Sequence, residues 1–195
     1  MYPLPYTWPI LLPFWMAFAW AFLGELPFMR RERVATTAIT DRGSKTLILI
    51  TTGVSTFAAF FVAGSVPRFT IVSFRMPVYL AGVACIAAGG LLRRHCFKTL
   101  GDSFTYDVRV GATQRVVDLG AYKYVRHPSY TAGLLLFGGI GIALCNWLSL
   151  AISIVFPVLA YSYRIAVEER ALADALGPAY VEYMTRTKRL IPFVL

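Results

Sequence analysis

The chain reads as an all-α integral membrane protein, a helical bundle of about five transmembrane helices whose last two form a helical hairpin. Three observations carry that expectation. Of the 195 residues 57% are hydrophobic and only 15% charged, against about 25% charge in an ordinary soluble domain. The apolar residues gather into runs near the ~20 residues a helix needs to cross a bilayer. The basic residues fall between those runs in blocks.

The expected spans are 7–29, 45–66, 75–97, 130–146 and 148–170. The first apolar run, 6–28, has no basic region before it and no small-residue cleavage pattern, so it reads as a span rather than a leader. Pro67-Arg68-Phe69 makes a short turn between the second and third spans, and Asn146-Trp147 a tighter one inside the hairpin. The fourth span is short for a crossing, which calls for a tilted, bent or incomplete helix. Ala84, Ala87, Ala88, Gly89 and Gly90 in the third span, and Gly133, Gly138, Gly139, Gly141 and Ala143 in the fourth, are small enough for close helix packing. Gly139-Ile140-Gly141 follows no strand and lacks the third glycine of a dinucleotide loop. Residues 97–127 mix polar and apolar positions and hold Gly101, Gly111 and Gly120, and a loop of this length in a small protein signals function. After Gly177-Pro178 a helix resumes with Tyr180, Tyr183 and Met184 on one face, and Lys188 to Phe193 reads as an amphipathic tail on the inner leaflet. All of this fits one domain over 1–195, with three spans in 1–98 and the loop, hairpin and tail in 99–195.

The net charge of +9 invites a nucleic-acid partner, but 17 of the 19 basic residues lie in three blocks. Arg30 to Lys45, Arg93 to Arg126 and Arg164 to Arg189 hold them, leaving only Arg68 and Arg75 outside. Basic residues accumulate on the cytoplasmic side, so the charge reports topology: N-terminus outside, C-terminus inside, no nucleic acid. Cys85, Cys96 and Cys145 form no CxxC or Cys/His pattern, so free thiols and no metal site are expected.

Two polar clusters stand against the hydrocarbon, where ionisable groups are costly and mark sites. One is Arg126-His127-Pro128-Ser129-Tyr130 in front of the fourth span. Pro128 can open that helix in its first turn and pushes His127 toward an extended backbone, so His127 and Tyr130 can converge on a ligand. The other is Arg164, Glu168 and Glu169 on the fifth span. Arginine and glutamate four apart also form an ordinary helix ion pair, and on chemistry alone both readings stand. Glu25 reads either as an interfacial acid or as a site residue.

The run 120–133, with Gly120, Tyr122, Arg126, His127, Pro128, Ser129, Tyr130 and Gly133, resembles the signature of the isoprenylcysteine carboxyl methyltransferases and their phospholipid methyltransferase relatives. Glu168-Glu169, Leu172, Gly177, Tyr180, Tyr183, Arg189 and Pro192 extend the resemblance over 114–195. Some membrane sterol reductases share an Arg-His-Pro-x-Tyr motif, but the paired glutamates with the spaced glycine and tyrosines favour the methyltransferases.

The resemblance implies an integral, multi-pass membrane enzyme using S-adenosyl-L-methionine, with S-adenosyl-L-homocysteine as product and the active site on the cytoplasmic side. Gln114, Arg115, Val116 and Val117 would run beside that cofactor, and Tyr122, His127, Pro128, Ser129 and Tyr130 would complete the pocket. Arg164 and Glu168 match the family's catalytic, substrate-side arginine and glutamate. The expected reaction is methylation of the C-terminal carboxylate of a prenylated cysteine, the prenyl chain entering from the bilayer. The alternative is methylation of a phospholipid amine or another lipophilic acceptor. A non-enzymatic scaffold or transporter gains little, because the spans hold no internal repeat and the polar clusters share one side. Oligomeric state is left open.

Overall fold

The computed structural model describes residues 3–29, 43–101 and 115–191. Within them run seven α-helices: α1 (Leu11–Leu23), α2 (Leu26–Met29), α3 (Ser44–Ser65), α4 (Arg75–Leu100), α5 (Pro128–Ala143), α6 (Trp147–Leu176) and α7 (Pro178–Arg186). No strand occurs among the described residues, only two isolated bridges, Thr70 with Asn146 and Val125 with Lys188.

Helices α3, α4 and α6 are long and apolar enough to cross a membrane, whereas α1 and α5 are shorter apolar helices. The first span departs from expectation. Instead of one helix over 7–29, a 3-10 turn at Leu4–Tyr6 leads to α1, which stops at Gly24 before the single turn of α2. Pro9 delays the helix start, since proline supplies no N–H and belongs at or before a first turn. At the other end Arg94 of α4 lies where a side chain on Gly24 would sit, stacks over the Trp20 ring and donates to the Trp20 carbonyl. Glu25 in the break pairs with Arg93 of α4.

Helix α5 lies between α4 and α6, α1 packs against α4 and α3 against α6, and the Phe60 ring of α3 meets Phe14 and Trp15 of α1. Small residues set the spacing, as expected. A Cβ on Gly82 would lie 2.3 Å from the Ala143 backbone nitrogen, and one on Gly89 would lie 2.8 Å from the Ala132 carbonyl oxygen. Such approach gives dispersion contact where lipid offers no hydrophobic drive. At 16 residues α5 spans ~24 Å, short of the ~30 Å hydrocarbon layer, and it buries Leu136, Phe137 and Ile140 among its neighbours.

Asn146 makes the α5–α6 hairpin. Its side chain accepts from the Leu148 and Ser149 amides, both at 3.1 Å, and donates to the Val66 carbonyl, so one residue caps α6 and ties it to the end of α3. Helix α6 runs past the expected end at 170 to Leu176, and α4 past 97 to Leu100. Arg164, Glu168 and Glu169 therefore share one unbroken helix. After α7, residues 187–191 run along 124–131, bound by backbone and side-chain groups around the start of α5, and the rest of the expected tail, Pro192 and Phe193, lies outside the described residues.

Candidate functional site

Pro128 is the first residue of α5, with His127 as its N-cap at φ −125° and ψ 55°. His127 is 3% exposed, well inside the intermediate burial usual for histidine. The segment before it is held by the tail: Arg126 N–H donates to the Lys188 carbonyl at 2.7 Å and His127 N–H to the Arg189 carbonyl at 3.0 Å. Thr131 Oγ1 donates to the Leu190 carbonyl at 2.6 Å, so the tail straps the first turn of α5.

Upstream, Gly120–Lys123 forms a 3-10 turn entered through Gly120 at φ +57°, a conformation that favours glycine. The turn buries Tyr122, whose carbonyl accepts from the Tyr183 hydroxyl of α7 at 2.6 Å. The Tyr122 hydroxyl is buried near Cys96 and Ser129 without completing a hydrogen bond. Burial, then the neighbouring Cys96 and Glu168, push this phenol far above its ordinary range, so it stays a neutral donor. Burial and Asp118 push the Tyr183 phenol up to about 12, against the lowering influence of Arg126 and Arg186.

Helices α5 and α6 meet in a polar relay. Tyr130 Oη donates to Glu168 Oε2 at 2.7 Å and accepts from Arg164 Nε at 3.2 Å. Arg164 Nη1 donates to Ser44 Oγ at 2.8 Å, which brings the first turn of α3 to the site. Arg164 is 4% exposed despite its charge. The sequence-adjacent spans thus place Arg164 and Glu168 on the two sides of one tyrosine hydroxyl. Tyr161 packs on the Tyr130 ring at 5.0 Å between centroids.

Glu169 faces the other way and gathers charge. Its Oε1 accepts from Arg126 Nε at 2.9 Å and stands 3.3 Å from His127 Nε2, while its Oε2 accepts from Arg189 Nη2 at 2.9 Å. Arg126 also donates to the Met184 and Thr187 carbonyls. On the α4 side Arg93 donates to the Ser129 carbonyl at 3.1 Å.

The structure therefore brings Tyr122, His127, Pro128, Ser129, Tyr130, Arg164 and Glu168 together at the base of α5 and α6. Gln114 lies outside the described residues. Arg115 is exposed and Val116 and Val117 are half-buried on the segment leading to the turn, and among the described residues none of the three bonds to the His127 cluster. Sequence reasoning missed Ser44, Tyr161 and the joining of Arg126, Glu169 and Arg189. Glu169 carried a signal as half of a paired acid on a lipid-compatible helix; Ser44 carried none, lying 120 positions from Arg164.

Chemically the cluster offers a buried guanidinium, a carboxylate held by a tyrosine, a neutral phenol with a spare donor and an imidazole. That set can bind a charged polar ligand against an apolar wall.

Three comparisons bear on this arrangement. The profile of the phospholipid methyltransferase family matches residues 77–179, which include α5, all of α6 and the whole relay except Ser44. Over 118 residues the chain is 35% identical to protein-S-isoprenylcysteine O-methyltransferase B of Arabidopsis thaliana, covering 58% of each protein. Its match to the Saccharomyces cerevisiae protein-S-isoprenylcysteine O-methyltransferase is 31% over 133 residues, 66% of this chain and 56% of the yeast protein. With the Xenopus laevis protein of the same name it shares 25% over 189 residues, 92% and 65% of the two chains. The chain thus spans less than two thirds of the length of these curated relatives. In fold it resembles the solved eukaryotic intramembrane Ras methyltransferase, isoprenylcysteine carboxyl methyltransferase, with a TM-score of 0.62 at 22% identity over 95% of this chain and 63% of that one.

Proposed function

We propose that this chain, which belongs to the phospholipid methyltransferase family, transfers a methyl group from S-adenosyl-L-methionine to the carboxylate of a prenylated cysteine at the membrane surface. The observation that carries the reading is the buried Arg164, joined through the Tyr130 hydroxyl to Glu168. The names of the relatives, protein-S-isoprenylcysteine O-methyltransferases, supply the acceptor class.

A C-terminal carboxylate, with an ordinary pKa of about 3.5, is ionised at neutral pH and needs no general base. What it needs is alignment and the loss of its water. Arg164 supplies a planar, permanently charged fork for two carboxylate oxygens, and its bonds to Ser44 and Tyr130 hold that fork in place. Glu168 keeps the Tyr130 hydroxyl oriented, so its lone pairs meet Arg164 Nε. Held this way, a carboxylate oxygen would be free to attack an electrophilic methyl group with no proton to be moved by any residue of the site.

The donor set fits the proposed cofactor. Tyr122 has a buried hydroxyl with a hydrogen to give, suited to a cofactor oxygen, and Glu168 offers an acceptor to a cationic group. Bound S-adenosyl-L-methionine supplies an electrophilic methyl group and leaves as S-adenosyl-L-homocysteine. His127, Pro128, Ser129 and Tyr130 would form one wall of its site, with Arg115, Val116 and Val117 on the approach from the cytoplasm. The apolar faces of the helices would take the prenyl chain.

Methylation of a lipid amine would require a base to remove a proton from an ammonium. Glu169 is committed to two arginines and a histidine, which leaves only Glu168, already an acceptor for Tyr130, to take that proton. Purified protein incubated with labelled S-adenosyl-L-methionine and either a farnesylcysteine analogue or phosphatidylethanolamine tests the choice. Label in the farnesylcysteine ester is expected; label in the phospholipid alone would reverse the assignment.

A further inference from the structure

Glu169 plays no part in the reaction proposed above, yet it is the most heavily bonded acid in the described molecule. Three cationic or ring donors converge on a carboxylate 5% exposed. Two of them come from segments that must be brought together: Arg126 from the stretch entering α5, and Arg189 from the tail. The same two stretches run side by side through the backbone bonds of Arg126 to Lys188 and of His127 to Arg189. A carboxylate between two guanidiniums is ionised and can only accept hydrogen bonds. The His127 nitrogen 3.3 Å from its Oε1 must then carry a hydrogen. The other ring nitrogen, Nδ1, lies 3.9 Å from Glu168 Oε2, so the ring stands between the two carboxylates.

From this geometry we infer that Glu169 is the positioning residue of the cofactor site: it selects the Nε2–H tautomer of His127, aims Nδ1 at the ligand and pins the 187–191 strap over the start of α5. It acts on methyl-donor binding without touching the donor, because it fixes His127, which would form a wall of the donor's site. The inference rests on the proposed cofactor reading, since His127 matters here only as a wall of that site.

The design resembles the carboxylate–histidine pairs that orient metal-binding imidazoles, whose outer partner is worth about 10- to 100-fold when removed. Glu169→Ala should therefore raise the KM for S-adenosyl-L-methionine by at least about tenfold, while the KM for farnesylcysteine moves less than about twofold. Glu169→Gln should recover part of the loss, because its amide oxygen can still accept from Arg126 and His127 while Arg189 lets go. The nitrogen resonances of a labelled His127 ring should report Nε2–H in the native protein and in Glu169→Gln, and a tautomer mixture in Glu169→Ala. A merely structural acid would lower both substrates' affinities together and leave the ring signal alone.

Where Glu169→Ala does not fold, Arg189→Gln carries the test, since that side chain is 58% exposed at the edge of the cluster. It should weaken S-adenosyl-L-homocysteine binding by calorimetry, and should add nothing further in the Glu169→Gln background. Unchanged donor affinity in both Glu169→Gln and Arg189→Gln overturns the inference. His127→Ala separates the two levels. If it loses donor affinity while the Glu169 and Arg189 variants keep it, the positioning role alone falls; if it keeps donor affinity, the cofactor reading of the site falls and the positioning role falls with it.

Discussion

Arg164→Ala is the perturbation that most directly tests the proposed chemistry. The guanidinium is 4% exposed and held by Tyr130 at 3.2 Å and Ser44 at 2.8 Å, so its charge sits in a desolvated place rather than at a wet rim. A substrate carboxylate brought beside it gives up hydration, and only a cation at bonding distance replaces that loss. Removing one partner of a buried charge pair costs about 3–5 kcal/mol, which is a drop of about a hundredfold to a few thousandfold in kcat/KM. Arg164→Lys keeps the charge but loses the planar fork, and one ammonium cannot keep Tyr130, Ser44 and a carboxylate in the same geometry, so recovery should be partial. The assay is methyl transfer from labelled S-adenosyl-L-methionine to farnesylcysteine in detergent, with S-adenosyl-L-homocysteine binding measured by calorimetry on the same preparations. Cofactor affinity should fall less than it does in His127→Ala, since Arg164 lies on the acceptor side of the relay. An Arg164→Ala protein that methylates farnesylcysteine normally would refute the clamp. One that loses activity only toward a phospholipid would transfer the residue to the amine-methylating reaction.

Tyr130→Phe removes the hydroxyl between Glu168 and Arg164, leaving both without a partner that is now within 3.2 Å; a lost buried bond of about 1–3 kcal/mol should lower kcat/KM by about tenfold to a hundredfold, read in the same transfer assay. Gly133→Ala places a Cβ 2.4 Å from the Tyr161 hydroxyl and 3.0 Å from its ring, and the buried Tyr161 has nowhere to swing. Overpacking of about 1–3 kcal/mol should lower the thermal midpoint in detergent and, because Tyr161 stacks on Tyr130, the activity with it. Asn146→Ala uncaps α6 far from the relay, so the midpoint should drop by the equivalent of about 1–2 kcal/mol while the specific activity of the folded fraction holds.

What could be read in advance, and what could not, follows from the range of the forces involved. Pro128 starts α5 and Asn146 turns the hairpin because a missing N–H and a short capping side chain act on the residues next to them. The glycines of α4 and α5 were legible as packing faces, since lipid leaves small residues little other use at that density. The broken first helix was not legible from hydropathy: an apolar run records what lipid tolerates, and the stop at Gly24 depends on Arg94 from another helix. The strap made by the tail was not legible either. The carbonyls of Lys188, Arg189 and Leu190 are taken by Arg126, His127 and Thr131, whose proximity exists only in the folded bundle.

The paired acids show how far spacing carries a functional argument. Successive residues on a helix point about 100° apart, so Glu168 and Glu169 cannot serve the same neighbour. Glu168 turns to the Tyr130 hydroxyl of α5 and through it to Arg164, one turn back on its own helix. Glu169 turns to Arg126, His127 and Arg189. The motif in front of α5 is divided in the same manner: Tyr130 answers to the first acid, Arg126 to the second, and His127 lies between them with one ring nitrogen toward each. Two separate bonding sets are therefore built by setting two helices so that a doublet on one straddles a histidine that caps the other. That arrangement explains why the two clusters had to be near hydrocarbon at all: each charge is satisfied by the other cluster, so the buried cost of one is offset only when both are present.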